Sequence, residues 1–250
     1  NALQADTSAI VPVHVYGIPC HVKKFTEIAN QNNLKLIYDA SHALGVKIHD
    51  SNLLNWGDAA TISFHATKIF HTVEGGAICF QRKEDLERAR KLINFGLDSQ
   101  VEDISEVGCN AKMSEMHAAM GLAVLEDIDE ILNHRIKIQQ QYKNELQDLV
   151  VVPKESQEYT INGAYVPLLF ESSNMRLKVE KVLADHSVYT KRYFSPSLSK
   201  ASAFEQSTIH NTNVANDVAH RILCLPISFD ISTKQVKWIS ELILKTLESN

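Results

Sequence analysis

The first eighty residues alternate between strand-like and helix-like patterns, and this alternation restricts the chain to a small set of folds. Ser8 to Val15 is a nearly continuous apolar and β-branched run, typical of a buried parallel strand. Apolar residues at helical spacing follow from Val22 to Asn33, and Leu34 to Tyr38 is a second buried strand pattern. Further strands are predicted at Ala59 to Phe64 and at Ala77 to Gln81. We therefore predict an α/β fold with a mostly parallel sheet covered by helices.

The second half of the chain has the pattern of a smaller α/β domain. One long helical pattern, or two in series, runs from Ser114 to about Leu149 and is expected to link two domains. The apolar residues expected to face inward along it are Met116, Met120, Ala123, Leu125, Ile128, Ile131 and Leu132. Further along, a strand, two helices and a final amphipathic helix are predicted. We predict a large domain over residues 1–125 and a small C-terminal domain over residues 126–250.

Composition excludes several classes of function. The 250 residues are 44% hydrophobic and 22% charged, as in an ordinary globular protein. A net charge of −5 gives no general attraction for nucleic acid or for an anionic membrane surface, and no apolar run has transmembrane length. The four cysteines are widely spaced, which suits neither a zinc site nor a disulfide scaffold, and scattered histidines without ligand spacing predict no metal site. We expect reduced, buried cysteines and a cytoplasmic location.

One lysine stands between two of the strand patterns. Lys68 follows the strand that ends near Phe64 and precedes Gly75-Gly76, which opens the next strand. An ammonium group near buried strand ends loses hydration, so its pKa falls and the free amine can attack a carbonyl. From spacing alone, a solvated surface lysine is the more common explanation.

The motif around this lysine resembles a known family. Ser63-Phe64-His65-Ala66-Thr67-Lys68, followed by Glu74-Gly75-Gly76, is similar to the cofactor-lysine signature of the DegT-type sugar-nucleotide aminotransferases. Four other segments match the family in the family's order: VPVHVYG at 11–17, YDASHALG at 38–45, GCNAKMSEMHAAMGL at 108–122 and RYFSPSL at 192–198. The resemblance implies the large domain of a fold-type I enzyme that depends on pyridoxal phosphate (PLP), with Lys68 as the lysine that binds the cofactor.

The resemblance also implies roles for three residues near Lys68. Asp39 would face the pyridine nitrogen of the cofactor, since a protonated ring withdraws electrons more strongly than a neutral one. His42 would donate a hydrogen bond to the phenolic oxygen, and Ser63 would bind the phosphate. From the residues alone, a helix cap or loop position for Asp39, a hydrogen-bonded loop histidine at His42 and a polar strand end at Ser63 stay open. His14 and His65 have weaker claims to a role.

Two other segments concern a partner subunit and the substrate. The resemblance implies a homodimer in which Asn110 reaches the partner's cofactor phosphate, but the aromatic-arginine pair expected after it is Ala111-Lys112 here. Arg192 would pair with a diphosphate and Tyr193 would contact the sugar or base. A surface loop with a partly buried arginine is the alternative explanation.

The family pattern includes an N-terminal part that precedes the segment present here. By resemblance, that part carries a Gly-Thr turn for the cofactor phosphate and an aromatic residue that stacks on the ring. Since residues 1–6 lead directly into a core strand pattern, we expect that the front of the large domain is absent from these 250 residues and that they bind PLP weakly.

The function that the resemblance implies is transfer of an amino group from an amino acid, with glutamate as the expected donor, to a keto-sugar nucleotide. A 4-keto-6-deoxyhexose is the expected sugar, for amino-sugar or surface polysaccharide biosynthesis. Two alternatives stay open. A related PLP-dependent sugar dehydratase is one, although those relatives carry histidine where Lys68 stands; a truncated, non-catalytic relative is the other.

Overall fold

The computed structural model describes residues 2–98, 103–151, 158–204 and 212–249. The chain forms two compact units. One comprises residues 4–130 and 155–162, and the other residues 1–3, 131–154 and 163–250. The division into domains at residues 125 and 126 stays a prediction.

The first unit is built on a four-stranded sheet. Its strands, in spatial order, are β1 (Ala9–Ile10), β2 (Lys35–Asp39), β5 (Ala59–Ser63) and β6 (Gly76–Phe80). The pairs β1 with β2 and β2 with β5 are parallel, and β6 runs antiparallel to β5. The prediction of an α/β fold with a mostly parallel sheet is confirmed.

Helices and two short hairpins complete the first unit. They are α1 (Val22–Gln31), the hairpin β3 (Lys47–Ile48) with β4 (Ser51–Asn52), α2 (Lys83–Leu92), the hairpin β7 (Leu97–Asp98) with β8 (Asp103–Ile104), and α3 (Glu115–Glu126). Helix α1 follows β1 and precedes β2, which is the predicted β-α-β unit. Leu36 and Tyr38 of β2 pack with Val22 and Ala29 of α1 in a buried cluster, so the alternate residues of β2 fix the helix on one face of the sheet.

The strand predicted over Ser8 to Val15 is much shorter in the structure. Strand β1 spans only Ala9–Ile10, and a single parallel bridge joins Val13 to Asp39. Val11 is 59% exposed, so one side of this segment is not covered by the described residues. The prediction of a fully buried strand was wrong because a continuous apolar run is typical of burial on both faces, whereas here alternate residues face outward.

The long helical pattern after Ser114 forms two helices in series, α3 and α4 (Ile128–Leu146). Four residues expected to face inward are exposed among the described residues: Met116, Met120, Ala123 and Leu125. Periodicity predicts an apolar face but does not identify what covers it, which explains this error. In α4, Ile138 and Tyr142 are fully buried and belong to the core of the second unit.

The second unit contains an antiparallel pair of strands, β9 (Val166–Leu169) and β10 (Ile222–Leu225), with helices. The helices that follow α4 are α5 (Ser173–Asp185), α6 (Asn213–Arg221) and α7 (Thr233–Glu248). On α7, Val236, Ile239 and Ile243 are buried, as the helical spacing predicted. Within the described ranges, no helix is both long and apolar enough to cross a membrane.

The four cysteines all lie in the described ranges and are free thiols. Cys224 is buried, as expected, but Cys20 and Cys79 are only partly buried and Cys109 is exposed. The expectation of uniform burial was therefore wrong, because cysteine is on average a buried residue but its individual position depends on tertiary packing.

Candidate active site

The candidate site lies in the first unit, where two parallel strands end side by side. Asp39 is the last residue of β2 and Ser63 is the last residue of β5, and Asp39 is paired in register with Thr61. Ligand-binding groups in α/β sheets collect at this edge because the carboxyl ends of parallel strands meet there. The loop that follows β5 carries Lys68.

Backbone hydrogen bonds hold the loop with Lys68 in place. The amide of Lys68 donates to the carbonyl of His65 at 2.9 Å, which forms a tight turn. The amide of Phe64 donates to Gly75 at 2.9 Å, and that of Thr72 donates to Phe64 at 3.0 Å. These bonds close the loop at its base, so the lysine extends from a defined backbone position.

Lys68 is partly buried, and its environment favours the neutral amine. Burial lowers the pKa of Lys68 from its ordinary value, and the charge of Asp39 opposes this effect. The carboxylate of Asp39 is therefore close enough to the amine to interact with it electrostatically. A lowered pKa gives a larger fraction of nucleophilic amine at neutral pH.

The carboxylate of Asp39 is positioned by local hydrogen bonds. Its Oδ1 accepts from the amide of Ser41 at 2.9 Å. The backbone of Asp39 is bonded on both sides, since its amide donates to Pro12 and its carbonyl accepts from His14, each at 2.9 Å. This arrangement fixes an anion at the end of β2.

His42 is buried and neutral. Its Nδ1 accepts a hydrogen bond from the amide of Tyr16 at 3.1 Å, so the proton of the neutral ring is on Nε2. The pKa of His42 is lowered to about 4, first by burial and second by the charge of Lys68, against the opposing charge of Asp39. Lys68, Asp39 and His42 thus form one electrostatically coupled group in which His42 Nε2 is a hydrogen-bond donor.

His14 is buried close enough to Asp39 to interact with its charge, which the sequence did not indicate. Its ring is 0% exposed and stacks on Tyr38 with centroids 4.6 Å apart. Its Nδ1 accepts from the amide of Cys20 at 3.0 Å, whereas the buried Nε2 has no hydrogen-bond partner among the described residues. Burial lowers the pKa of His14 to about 4 against the opposing charge of Asp39. The only sequence signal for it is a histidine within an apolar run.

Ser63 and His65 organise the start of the loop between β5 and β6, residues 64–75, which we name the lysine loop. The Oγ of Ser63 accepts from the amide of His65 at 3.3 Å, which leaves its hydroxyl hydrogen able to reach a ligand. His65 Nδ1 lies 2.8 Å from the hydroxyl of Thr67, and its Nε2 lies 3.7 Å from a carboxylate oxygen of Glu74. His65 therefore bridges the two ends of the loop at an exposed position.

Asn110 is exposed and is bonded to its own neighbourhood. Its side-chain oxygen accepts from Lys112 Nζ at 2.8 Å, and the same ammonium lies 4.4 Å from the centre of the Phe95 ring. Among the described residues, Asn110 makes no hydrogen bond to Asp39, His42 or Lys68. The structure therefore does not bring Asn110 into the coupled group.

Arg192 and Tyr193 belong to the second unit, whereas the coupled group lies in the first. Arg192 Nη2 donates to the carbonyl of Ala219 near the end of α6 at 3.1 Å, a favourable position for a cation. Its Nε is buried without an acceptor in the described part of the chain. Tyr193 packs edge-on against Tyr165 with ring centres 5.5 Å apart.

Comparison with solved structures identifies the class of this fold. The chain superposes with a TM-score of 0.90 on DesI, whose crystal structure was analysed in the presence of its TDP-sugar product, at 31% identity. The match covers 99% of this chain and 64% of that one. Helicobacter pylori PseC, an aminotransferase of pseudoaminic acid biosynthesis, has the same fold with a TM-score of 0.89, 22% identity and coverage of 100% and 69%. The fold is therefore that of the PLP-dependent sugar aminotransferases.

The amino-acid sequence gives the family directly. Residues 1–244 match the DegT/DnrJ/EryC1/StrS aminotransferase family, and this chain belongs to it. A dTDP-4-amino-4,6-dideoxy-D-glucose transaminase of Shigella dysenteriae is 37% identical over 246 residues, which cover 96% of this chain and 66% of that protein. A GDP-perosamine synthase of Escherichia coli O157:H7 is 32% identical, with coverage of 95% and 65%. The chain thus spans about two thirds of the length of these curated relatives.

Proposed function

We propose that this protein is a PLP-dependent aminotransferase that moves an amino group from an amino acid to a keto-sugar nucleotide. Glutamate is the proposed amino donor. A 4-keto-6-deoxyhexose is the proposed sugar, since two relatives are named for 4-amino-4,6-dideoxyglucose and perosamine products. The product would serve amino-sugar or surface polysaccharide biosynthesis in the cytoplasm. One observation carries the proposal: a partly buried lysine with a lowered pKa is coupled to a carboxylate at the end of the adjacent strand.

The side chains present fit PLP by their chemistry. The carboxylate of Asp39 suits a protonated pyridine nitrogen, and the amine of Lys68 suits an aldehyde. His42 Nε2 can donate to a phenolic oxygen, and the hydroxyl of Ser63 can donate to a phosphate. When bound, PLP supplies an electron-withdrawing ring that stabilises negative charge on the carbon that loses a proton.

Lys68 would act as both nucleophile and proton carrier. Its lowered pKa increases the fraction of neutral Nζ, and the neutral amine can attack a carbonyl and, once released, accept a proton from the substrate carbon. Since the loop is closed by backbone hydrogen bonds, the main chain that carries Lys68 would keep its position during the reaction. The carboxylate of Asp39 would hold its partner nitrogen in the protonated form.

Arg192 and Tyr193 are the proposed contacts for the nucleotide-sugar. The buried Nε of Arg192, which has no acceptor in the described part of the chain, is a donor that a diphosphate oxygen could satisfy. Tyr193 offers an aromatic face for the sugar or base. Both assignments rest on the family motif at 192–198.

The proposed assembly is a homodimer with Asn110 near the twofold axis. Helix α3 supports it, because Met116 is 81% and Leu122 is 67% exposed, and a stripe of this kind is typical of an interface. Lys112 stands where the family motif has arginine, so Asn110 is bonded to an ammonium group rather than accompanied by a planar guanidinium.

Isotope transfer tests the proposed reaction. The protein is incubated with PLP, glutamate labelled with ¹⁵N and either dTDP- or GDP-linked 4-keto-6-deoxyhexose, and the sugar nucleotides are analysed by mass spectrometry. We expect ¹⁵N in the sugar. A product that has lost water and carries no ¹⁵N would identify a dehydratase, and an unchanged substrate with every donor and nucleotide tested would identify a non-catalytic protein.

A further inference from the structure

A buried asparagine distant in sequence contacts the loop that follows Asp39 and carries His42. Asn162 is 3% exposed, and its Nδ2 donates two hydrogen bonds, to the carbonyls of His42 and Leu44, each at 2.9 Å. These contacts span 120 and 118 residues of sequence. We name residues 40–45, between β2 and β3, the cofactor loop. A side chain that satisfies two carbonyls of a loop restricts that loop more than one bond would.

The segment that carries Asn162 is itself attached to the first unit. The amide of Thr160 donates to Lys47 and the amide of Lys47 donates to the hydroxyl of Thr160, both at 2.9 Å. The amide of His49 donates to Glu158 at 2.7 Å, and Tyr159 forms a bridge with Ile48. The segment therefore pairs with β3 as an additional strand would. This pairing fixes the position of Asn162 relative to the cofactor loop.

The turn at Val15–Gly17 also packs against Asn162 and the cofactor loop. Gly17 has a φ of 81°, and a Cβ there would lie 2.8 Å from Asn162 Oδ1 and 2.8 Å from the carbonyl of His42. The backbone of the turn after β1 thus approaches both Asn162 and the cofactor loop, and this approach requires glycine. The neighbouring Tyr16 amide is the donor that orients the His42 ring.

We propose that Asn162 is a positioning residue for the cofactor: it fixes the backbone of His42 so that the ring meets both the Tyr16 amide and the cofactor oxygen. The proposal rests on the proposed function, because the ligand that His42 meets is PLP. Asn162 donates to two backbone carbonyls of the cofactor loop, and it would act on the cofactor only through His42. A general role in stability would be the alternative.

Two substitutions remove the donor, and one control leaves the cofactor loop untouched. Asn162→Asp keeps the shape of the side chain but loses the NH₂ group, and Asn162→Ser is a smaller replacement in case the first does not fold. Thr160→Val removes the hydrogen bond to Lys47 on the same segment without touching the cofactor loop. The three variants therefore separate loss of the loop contact from general loosening of the segment.

Two measurements then decide the role. Amide hydrogen exchange is followed in the cofactor-free protein, and PLP affinity and the pH dependence of the visible band of bound PLP are measured by titration. We expect exchange at residues 40–46 to rise about tenfold and PLP affinity to fall about tenfold in both Asn162 variants, equal to about 1.4 kcal/mol, with a shifted pH profile. Thr160→Val should leave all three at wild-type values.

Three outcomes would overturn the proposal. Equal effects of Thr160→Val, exchange that rises throughout the first unit, or Asn162 variants with wild-type affinity and pH profile would each show that Asn162 only stabilises the fold. A wild-type protein that binds no PLP would refute the proposed function and with it the cofactor role. In that case, exchange localised to residues 40–46 would still show separately whether Asn162 restrains the loop.

Discussion

The proposed reactivity of Lys68 depends on its position and not on the type of residue alone. The chain has 25 lysines and arginines, most of them solvated, whereas Lys68 is partly withdrawn from water beside Asp39. Burial favours the neutral amine, and the nearby carboxylate limits how far the pKa falls. His42 and His14 share this environment and are neutral for the same reason.

Replacing the lysine should remove the chemistry and keep the fold. Lys68→Ala should abolish amino transfer, because no other residue of the coupled group is an amine. The thermal midpoint of unfolding should be nearly unchanged, because the side chain is only partly buried and lies on a loop. Borohydride reduction of wild-type protein with PLP, followed by peptide mapping, should label Lys68. A label on another lysine would refute the assignment of the site.

Asp39 and His42 should differ in their importance. Asp39→Asn should still bind PLP but should lower kcat by roughly a hundredfold, which is about 2.7 kcal/mol of transition-state stabilisation, because the ring nitrogen loses its anionic partner. His42→Gln keeps a donor and should cost less than tenfold. Single-turnover rates measure both, and near-normal turnover in Asp39→Asn would contradict the role given to Asp39.

The lysine loop and helix α3 depend on one another through close packing. Gly121 is a buried residue of α3, and a Cβ there would lie 2.8 Å from Thr72 Cγ2 and 3.4 Å from the Phe70 ring. Thr72 is itself fixed, since its hydroxyl donates to the carbonyl of Glu74 at 2.8 Å. The helix can approach the loop only because residue 121 has no side chain.

This packing predicts a substitution effect opposite in sign to helix propensity. Alanine is favoured over glycine by about 1 kcal/mol within a helix, but overpacking against Thr72 costs about 1–3 kcal/mol, so Gly121→Ala should lower the free energy of unfolding. Thr72→Ser removes Cγ2 and keeps the hydroxyl, so the double variant should recover stability. Urea unfolding measures this, and a Gly121→Ala variant more stable than wild type would contradict the expected clash.

Acid should destabilise the whole protein through the two buried histidines. The pKa values of His14 and His42 are about 4 in the folded state against an ordinary value of 6.5. Between these values the unfolded chain binds more protons, so the stability present above pH 6.5 is lost as the pH falls towards 4. From pH 7 to pH 5 the loss should be about 2 kcal/mol for each histidine.

Urea unfolding at the two pH values measures this loss, and substitution assigns it. His14→Asn should reduce the pH dependence, because it removes one titrating ring. An unfolding free energy that does not change between pH 7 and pH 5 would show that these rings are not held neutral.

The apolar face of α3 predicts the oligomeric state. Leu122→Asp should convert the proposed dimer to a monomer, because a carboxylate would be buried without a partner at the interface. Leu177→Asp on α5 is the matched control, since that leucine is 52% exposed and lies in the second unit. Light scattering gives the mass, and a wild-type monomer would refute the proposed assembly.

Local patterns in the sequence determined the element types and the chemistry they could carry. The β-α-β order, the inward face of α7 and the position of Lys68 between two strands follow from periodicity and spacing, and the motif around Lys68 indicated the family. These properties are readable because they depend on residues close together along the chain.

Tertiary structure alone decided the remaining features, because burial and close approach depend on residues far apart in sequence. Neutral His14 and His42 result from desolvation by packed neighbours, and Asn162 reaches the cofactor loop across 118 residues or more. The apolar stripe of α3 predicted a covered face, yet Met116 and Leu125 are exposed among the described residues. A periodic apolar stripe predicts that one face of a helix is shielded from water. Only the packed structure shows whether residues of this chain cover that face.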